Sequence, residues 1–414
     1  LGQVIVDDSL KGAQSRMHKE LFRAAFRSIS GIPFAVTYWD GETEMYGPPE
    51  VQDLPFRIIF NQPLNLRDML DDPETMFGQA YMDQKIDVEG DFSALLNLLM
   101  CNVDVFRSNG RNGLFQRLMK SRSSDLTHQR TENVEAEYNL GSDFFKLWLD
   151  STLSYSCAYF RSPEDTLEQA QLQKIDHILN KLHLKKGETL LDIGSGWGWL
   201  IIRAARKYGV KALGITLSEE EEEKTRKRIV HEGLEDQVEV RLADYRDLAV
   251  ENQTFDKILS VGMFKYVGKE NIPTYFRCLQ KMLKPQGLSL LHTITRSIES
   301  PTATWLEKYI FPRGYIPSLR EIMWLLPEYS FHLVDTESLR IHYALTTARW
   351  AENFEKVVDK VRAEHGEHFV RMWRLYLLGC STSFRCSGLD VHQLLFSKGI
   401  YNDLPLARES IWCR

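Results

Sequence analysis

No stretch of this chain approaches the roughly 18 consecutive apolar residues that span a bilayer, which argues against a membrane-spanning helix. Cysteine is scarce and unpatterned. The six residues, Cys101, Cys157, Cys278, Cys380, Cys386 and Cys413, show neither CxxC nor CxxH spacing. Neither a disulfide framework nor a metal site is therefore expected, and a reducing cytoplasm fits best. An excess of positive charge is also missing. With 57 acidic and 51 basic residues the net charge is −6, which argues against a nucleic-acid binder. The opening LGQVIVDDSLKG lacks a basic region followed by an apolar one, so no export signal is expected there. There is no internal repeat.

What is present is ordinary globular composition, 43% hydrophobic and 26% charged, over 414 residues. That length suggests two domains. Residues 1–105 combine a basic amphipathic stretch, KGAQSRMHKELFRAAFRSI, with the short apolar runs FAVTYW and FRIIF and a helical pattern, DFSALLNLLMCNVDVF. They read as a small α+β domain. Residues 106–130, FRSNGRNGLFQRLMKSRSSDLTHQR, interleave basic and apolar residues. The plainer reading is a solvated linker. The alternative is a hinge whose cations meet lipid headgroups, each contributing about 1 kcal/mol near an anionic membrane.

From residue 165 onward strands alternate with helices. TLEQAQLQKIDHILNKLHL is helical, GETLLDIGSGWGWL is strand, glycine turn and helix start, and VKALGITLS is a second strand. VEVRLADYRDL, FDKILSVGMF and GLSLLHTI supply three more strands. The pattern predicts a doubly wound parallel α/β sheet.

Asp192, Gly194, Gly196 and Gly198 form D-I-G-S-G-W-G after an apolar strand, where glycines let backbone amides approach a ligand at a helix start. A glycine turn alone is weak evidence. Here the spacing is G-x-G-x-G, and the strand ends in an acid suited to the amino group of a cationic amino-acid moiety. Both features favour S-adenosylmethionine over NAD. The second strand lacks the acid about 20 residues downstream that usually holds a ribose, leaving Thr216 and Glu221 as polar groups. Glu221 has a structural reading too, because Ser218-x-x-Glu221 is a capping box. The run Glu219–Glu223 also complements the helix dipole.

EAEYNLGSDFFKLWLDSTLSYSCAYF (135–160), LLDIGSGWGWL, LADYRDL, SVGMF, LLHTI and YIFPRGYIPS follow one another in this chain. Together they resemble the cyclopropane fatty acid synthase (cyclopropane-fatty-acyl-phospholipid synthase) family, and after it the related mycolic acid cyclopropane synthases. The resemblance runs from about residue 54 to FSKGIYNDLPLAR. It implies a methyltransferase fold over 136–414, a linker at 119–135, and a smaller α+β lipid-recruiting domain at 1–118. The implied reaction moves a methyl group from S-adenosylmethionine to the double bond of an unsaturated phospholipid chain. The resulting carbocation loses a proton to bicarbonate and closes to a cyclopropane. By this resemblance bicarbonate lies against the backbone of Cys157 and Ile294, the side chains of His292 and Tyr343, and a fifth position, Lys265. Cofactor contacts fall on Tyr155, Ser156, Asp192, Gly194, Gly196, Thr216, Leu217, Tyr245 and Arg246, with Glu221 as the ribose alternative. A cytoplasmic homodimer, peripherally associated with the membrane, is also implied.

Several of these residues have plainer readings. A lone Cys157 in an apolar run is a small buried hydrophobe, His292 is a satisfied core histidine, and Tyr343 is a half-buried tyrosine. The departures from the family pattern matter equally. Lys265 stands where the family has glutamate, and Tyr266 where histidine follows it. Glu137 and Asn139 replace the His and Asp of HYD, and Gln79 the Glu of GEAYMD. A lysine about 4–6 Å from a sulfonium and a developing carbocation adds a few kcal/mol of repulsion at an effective dielectric near 20. Unless it is neutral, paired or turned away, the rate falls. Two alternatives therefore stand beside the cyclopropane: a methyl-branched or methylene product, and a catalytically impaired lipid-binding homologue. Pairing of Glu137 with Lys265 would return a carboxylate to the site.

Overall fold

The computed structural model describes residues 16–48, 54–64, 72–102, 140–300, 303–312 and 314–407. Glu137, Asn139 and the basic segment 106–130 lie outside them. The chain divides into two compact units. One comprises Leu1–Ser124, Ala303–Ile310 and Phe354–Ser387, and the other Asp125–Thr302, Phe311–Asn353 and Gly388–Arg414.

In the first unit the apolar runs become strands. β1 (Phe34–Thr37), β2 (Thr43–Tyr46), β3 (Phe56–Phe60) and β4 (Ile86–Gly90) form a sheet in the order β2-β1-β3-β4. Phe22 and Phe26, on a helix over 16–27, stack onto Phe34, Tyr46 and Phe60 with ring centroids 4.8–6.3 Å apart. Asp91 caps the helix Phe92–Cys101, which buries Phe92, Leu95, Leu96 and Leu98. Residues 303–310 and 354–387, assigned from sequence to the methyltransferase domain, fold with this unit instead. The reason is cover: short amphipathic helices need an apolar partner for their buried stripe. The long helix Val358–Cys386, with Val370, Trp373, Leu377 and Phe384 buried, packs on Phe92–Cys101 and on Pro73–Met82. Gln79 has a local role here, donating to Asp83 Oδ1 at 2.9 Å and accepting from the Tyr309 hydroxyl.

The second unit is built on β5 (Thr189–Ile193), β6 (Lys211–Thr216), β7 (Val238–Leu242), β8 (Phe255–Val261), β9 (Leu283–Arg296), β10 (Phe331–Ser338) and β11 (Leu389–Lys398), in the order β10-β11-β9-β8-β5-β6-β7. The five strands expected from sequence run parallel, but the sheet is mixed. β11 pairs antiparallel with β9, and β10 antiparallel with β11. Successive residues of the apolar strands serve opposite faces. Leu191, Leu213 and Ile258 enter one core, and Leu190, Ala212 and Leu259 the other, as expected where helices cover both faces of a sheet. The strand order reverses between β5 and β8, and the crevice at their carboxyl ends is where such sheets bind ligands. No helix among the described residues is long and apolar enough to cross a membrane.

Candidate functional site

The site is assembled from the ends of four neighbouring strands. After β5 the chain turns through Gly194, Gly196 and Gly198, at φ of 80°, 52° and 75°. A Cβ on Gly198 would stand 2.3 Å from Thr225 Cγ2, so glycine is required for the helix Trp199–Tyr208 to start there. Asp192, at the end of β5, is 2% exposed, and its Oδ1 has no hydrogen-bond partner. Burial pushes its carboxyl up to about 7, and the positive charge of Lys174 opposes that rise. A buried carboxylate with a free acceptor wants an ammonium. The residues present therefore fit the amino-acid end of S-adenosylmethionine.

At the end of β6 the capping box forms only in half. Ser218 Oγ accepts from the Glu221 backbone N–H at 3.3 Å, but the Ser218 N–H goes to Thr216 Oγ1 at 3.1 Å. The Glu221 carboxylate turns inward, accepts from the Thr216 hydroxyl, and is 5% exposed. Its Oε1 lies 3.9 Å from where a Gly196 Cβ would be. Burial raises this acid also to about 7. A cap-only role is thus corrected: the Thr216 hydroxyl substitutes for the carboxylate and frees it to face the glycine turn. Leu217 is half-buried on the same turn.

Beyond β7, Asp244 caps the short helix Tyr245–Leu248. Arg246 folds back onto Asp244 through two hydrogen bonds of 2.8 and 2.6 Å. The Tyr245 ring sits in the apolar core, edge-on to Tyr275 at 5.4 Å. Asp244, which engages the arginine's charge, is not singled out by the sequence reading.

At the end of β8 the backbone N–H of Gly262 donates to His292 O at 2.9 Å. A Cβ on Gly262 would lie 3.4 Å from Ser156 Cβ, so the Tyr155–Cys157 loop closes over this strand end. The Lys265 ammonium lies over three rings, with centroids at 3.8 Å (Phe311), 4.8 Å (Tyr266) and 5.7 Å (Tyr155). Tyr155 continues into an aromatic wall. It lies 5.1 Å from Trp350, which is 5.9 Å from both Trp148 and Tyr343. Tyr155, Lys265 and Tyr343 are thus linked through ring contacts.

His292 lies within β9 and is 2% exposed. Gln393 Nε2, directly across the ladder on β11, donates to His292 Nδ1 at 3.2 Å. That leaves the ring proton on Nε2, a buried donor with no partner. Burial, reinforced by the positive charges of Lys174 and Lys181, holds the imidazole neutral. Ile294 follows on the same strand, opposite Val391. Burial pushes the Cys157 thiol up, so it stays protonated, and it contacts the Leu339 carbonyl at 3.8 Å. This is the behaviour of a small buried side chain and not of a nucleophile. Two residues that sequence reasoning missed hold the loop from below. Gln171 donates to the carbonyls of Ser154 and Ser156 at 3.2 and 3.0 Å, and Lys174 Nζ to Ser156 Oγ at 3.0 Å. The available signal is spacing: Gln171, Lys174, His177 and Lys181 share one face of an otherwise apolar helix pattern.

Comparison with known proteins gives a consistent result. The family model described as mycolic acid cyclopropane synthetase matches residues 125–394, and a domain of unknown function matches 21–111. The chain is 36% identical to a Pseudomonas putida protein named "Probable fatty acid methyltransferase", over 92% of this chain and 96% of that one. It is 40% identical to the Escherichia coli cyclopropane-fatty-acyl-phospholipid synthase, over 66% of this chain and 69% of the relative. The solved cyclopropane synthase MmaA2 from Mycobacterium tuberculosis superposes with a TM-score of 0.62 at 35% identity, covering 66% of this chain and 100% of that structure.

Proposed function

The chain belongs to the mycolic acid cyclopropane synthetase family and is an S-adenosylmethionine-dependent methyltransferase, and we propose that it methylates the double bond of unsaturated phospholipid acyl chains, closing the product to a cyclopropane. The observation that carries this reading is the buried Asp192, whose Oδ1 has no hydrogen-bond partner at the end of β5, and beside it in weight stands the aromatic wall of Tyr155 and Trp350. The cofactor, when bound, supplies an electrophilic methyl group. Asp192 receives its ammonium, and Gly194 and Gly196 let the chain approach it closely. Glu221 and Thr216 face the same turn and are suited to ribose hydroxyls. The rings of Tyr155, Trp148, Trp350 and Tyr343 offer faces that stabilise a nearby cation and keep water away from the reacting carbon.

Removal of the proton needs a base. Neutral His292, with its Nε2–H unused, is built to donate to an anion and not to take a proton. Bicarbonate fits that donor. His292, Tyr343 and the backbone of Cys157 and Ile294 would hold it, and it would supply the base. Lys265 is the departure. An ammonium offers only donors, and an ion pair with it makes bicarbonate a poorer base. That residue favours the second reading, a methyl-branched or methylene product or a slowed enzyme.

We further propose that residues 1–118 and the basic segment 106–130 recruit lipid, that association with the membrane is peripheral, and that the protein acts as a homodimer. The test is mass spectrometry of lipids from cells expressing the chain. Gain of one CH2 per unsaturated chain supports methyl transfer, and fragmentation distinguishes ring from branch. Absence of any gain, alongside measurable cofactor binding, overturns the enzymatic reading.

A further inference from the structure

The helix Leu167–Lys181 buries five polar side chains, Asn180 at 8% exposure and Gln171, Lys174, His177 and Lys181 at 0–4%. His177 and Lys181 are matched by Glu337. Lys174 is not matched in this way. Among the described residues no carboxylate lies within ion-pair distance of it, and its Nζ makes a single hydrogen bond, to Ser156 Oγ. Burying an ammonium so sparsely bonded is costly. The groups that face it are Asp150 from the turn before the Tyr155 loop, Cys157 from the loop, Asp192 from β5 and His292 from β9. Asp150 and Asp192 each keep one buried carboxylate oxygen without a partner. A cation and two carboxylates, all incompletely bonded, therefore surround the place where the cofactor's zwitterionic end belongs.

We propose that Lys174 is a positioning residue for the cofactor, fixing Ser156 through Nζ and supplying the positive charge against which Asp192 is set to receive the cofactor's ammonium. The assignment rests on the reading that Asp192–Gly198 holds the amino-acid end of S-adenosylmethionine. Its physical content is electrostatic. Asp192 must be ionised to bind an ammonium, and a neighbouring positive charge favours the ionised form. Burial pulls the Lys174 ammonium down to about 8, so its charge is complete only below that pH.

The experiment is affinity against pH for the full chain, measured by calorimetry with S-adenosylhomocysteine, which keeps the same amino-acid end. For wild type, affinity falls as the pH drops through the range where Asp192 takes up its proton. Lys174→Met should move this acid limb upward by about one pH unit, weakening binding about fivefold at pH 7 and roughly tenfold a unit or more below it. Lys174→Arg, which retains the charge, should leave the limb in place. A Lys174→Met profile that superimposes on wild type overturns the proposal. If Lys174→Met does not fold, Lys174→Gln, which keeps a donor for Ser156 without the charge, carries the same comparison. Gly196→Val separates the two levels of inference. Unchanged affinity in that variant removes the cofactor placement itself, whereas its loss beside an unmoved Lys174→Met profile removes only the role of Lys174.

Discussion

The ammonium of Lys265 stands 3.8 Å from the centre of the Phe311 ring. Ring faces favour the charged form, by about 0.5–2 kcal/mol each depending on exposure. The three ring faces thus favour a charge on this lysine, and on the proposed mechanism a charge there would oppose a cationic reaction centre. Lys265→Glu is expected to raise methyl transfer to lipid vesicles tenfold or more, about 1.4 kcal/mol in the barrier, most clearly with added bicarbonate. Labelled methyl transfer in both proteins, with and without bicarbonate, checks this. Destruction of a robust starting activity by Lys265→Glu would make the lysine a working part.

Gln393 fixes which nitrogen of His292 carries the proton. Gln393→Leu keeps a comparable volume but releases the ring to the other tautomer, and partners that orient a working imidazole are commonly worth 10–100-fold. The expected result is a kcat lowered by about tenfold with cofactor affinity unchanged. Steady-state kinetics together with calorimetry measure both. A parallel loss of cofactor binding would point to a general packing defect.

Asp192 and Glu221 are both raised to about 7 by burial. A carboxyl raised on folding favours the native state while protonated. Its contribution is complete below the unfolded value of about 4 and is lost as pH rises through about 7. The two acids therefore favour the ligand-free protein more at pH 6 than at pH 8. They are opposed by the buried His292 and the half-buried His342 and His392, which must shed a proton on folding at pH 6, so the wild-type pH dependence is read against that of Asp192→Asn. Cofactor, which needs ionised Asp192, should raise the melting temperature more at pH 8 than at pH 6. Asp192→Asn should stabilise the ligand-free protein at pH 8, by up to a few kcal/mol, and abolish the cofactor-induced shift. Differential scanning calorimetry with and without cofactor reads all three, and a cofactor shift independent of pH contradicts the assignment.

Arg107, Arg111, Arg117 and Lys120 alternate with Phe106, Leu114, Phe115 and Leu118 in the basic segment. Such interleaving suits headgroup attraction with shallow apolar insertion. Neutralising the four cations together should weaken sedimentation with anionic phospholipid vesicles, more at low salt than at high salt, because screening shortens their reach. Intact binding would leave the segment a linker.

Much of the catalytic unit is legible in the sequence, because apolar strands, a glycine turn and helical periodicity are local signals. The D-I-G-S-G-W-G run and five parallel strands sit where their pattern implies. The antiparallel strands β10 and β11 escape such reading, since Phe331–Ser338 lacks an unbroken apolar run and Leu389–Lys398 is separated from its partner β9 by nearly a hundred residues. Assignment of 354–387 to the first unit escapes it for the same reason: which helix covers which stripe is a question of long-range packing.

Within the site the division is similar. Sequence alone determined the chemistry available, an acid after a strand, glycines, a histidine on an apolar strand, and a lysine in place of a carboxylate. Tertiary structure decided what each can do. Burial turned Asp192 and Glu221 into weak acids, Gln393 across the ladder chose the His292 tautomer, and three rings from separate segments seated Lys265. Protonation and charge depend on desolvation and on neighbours brought together only by folding, whereas residue identity and local periodicity do not.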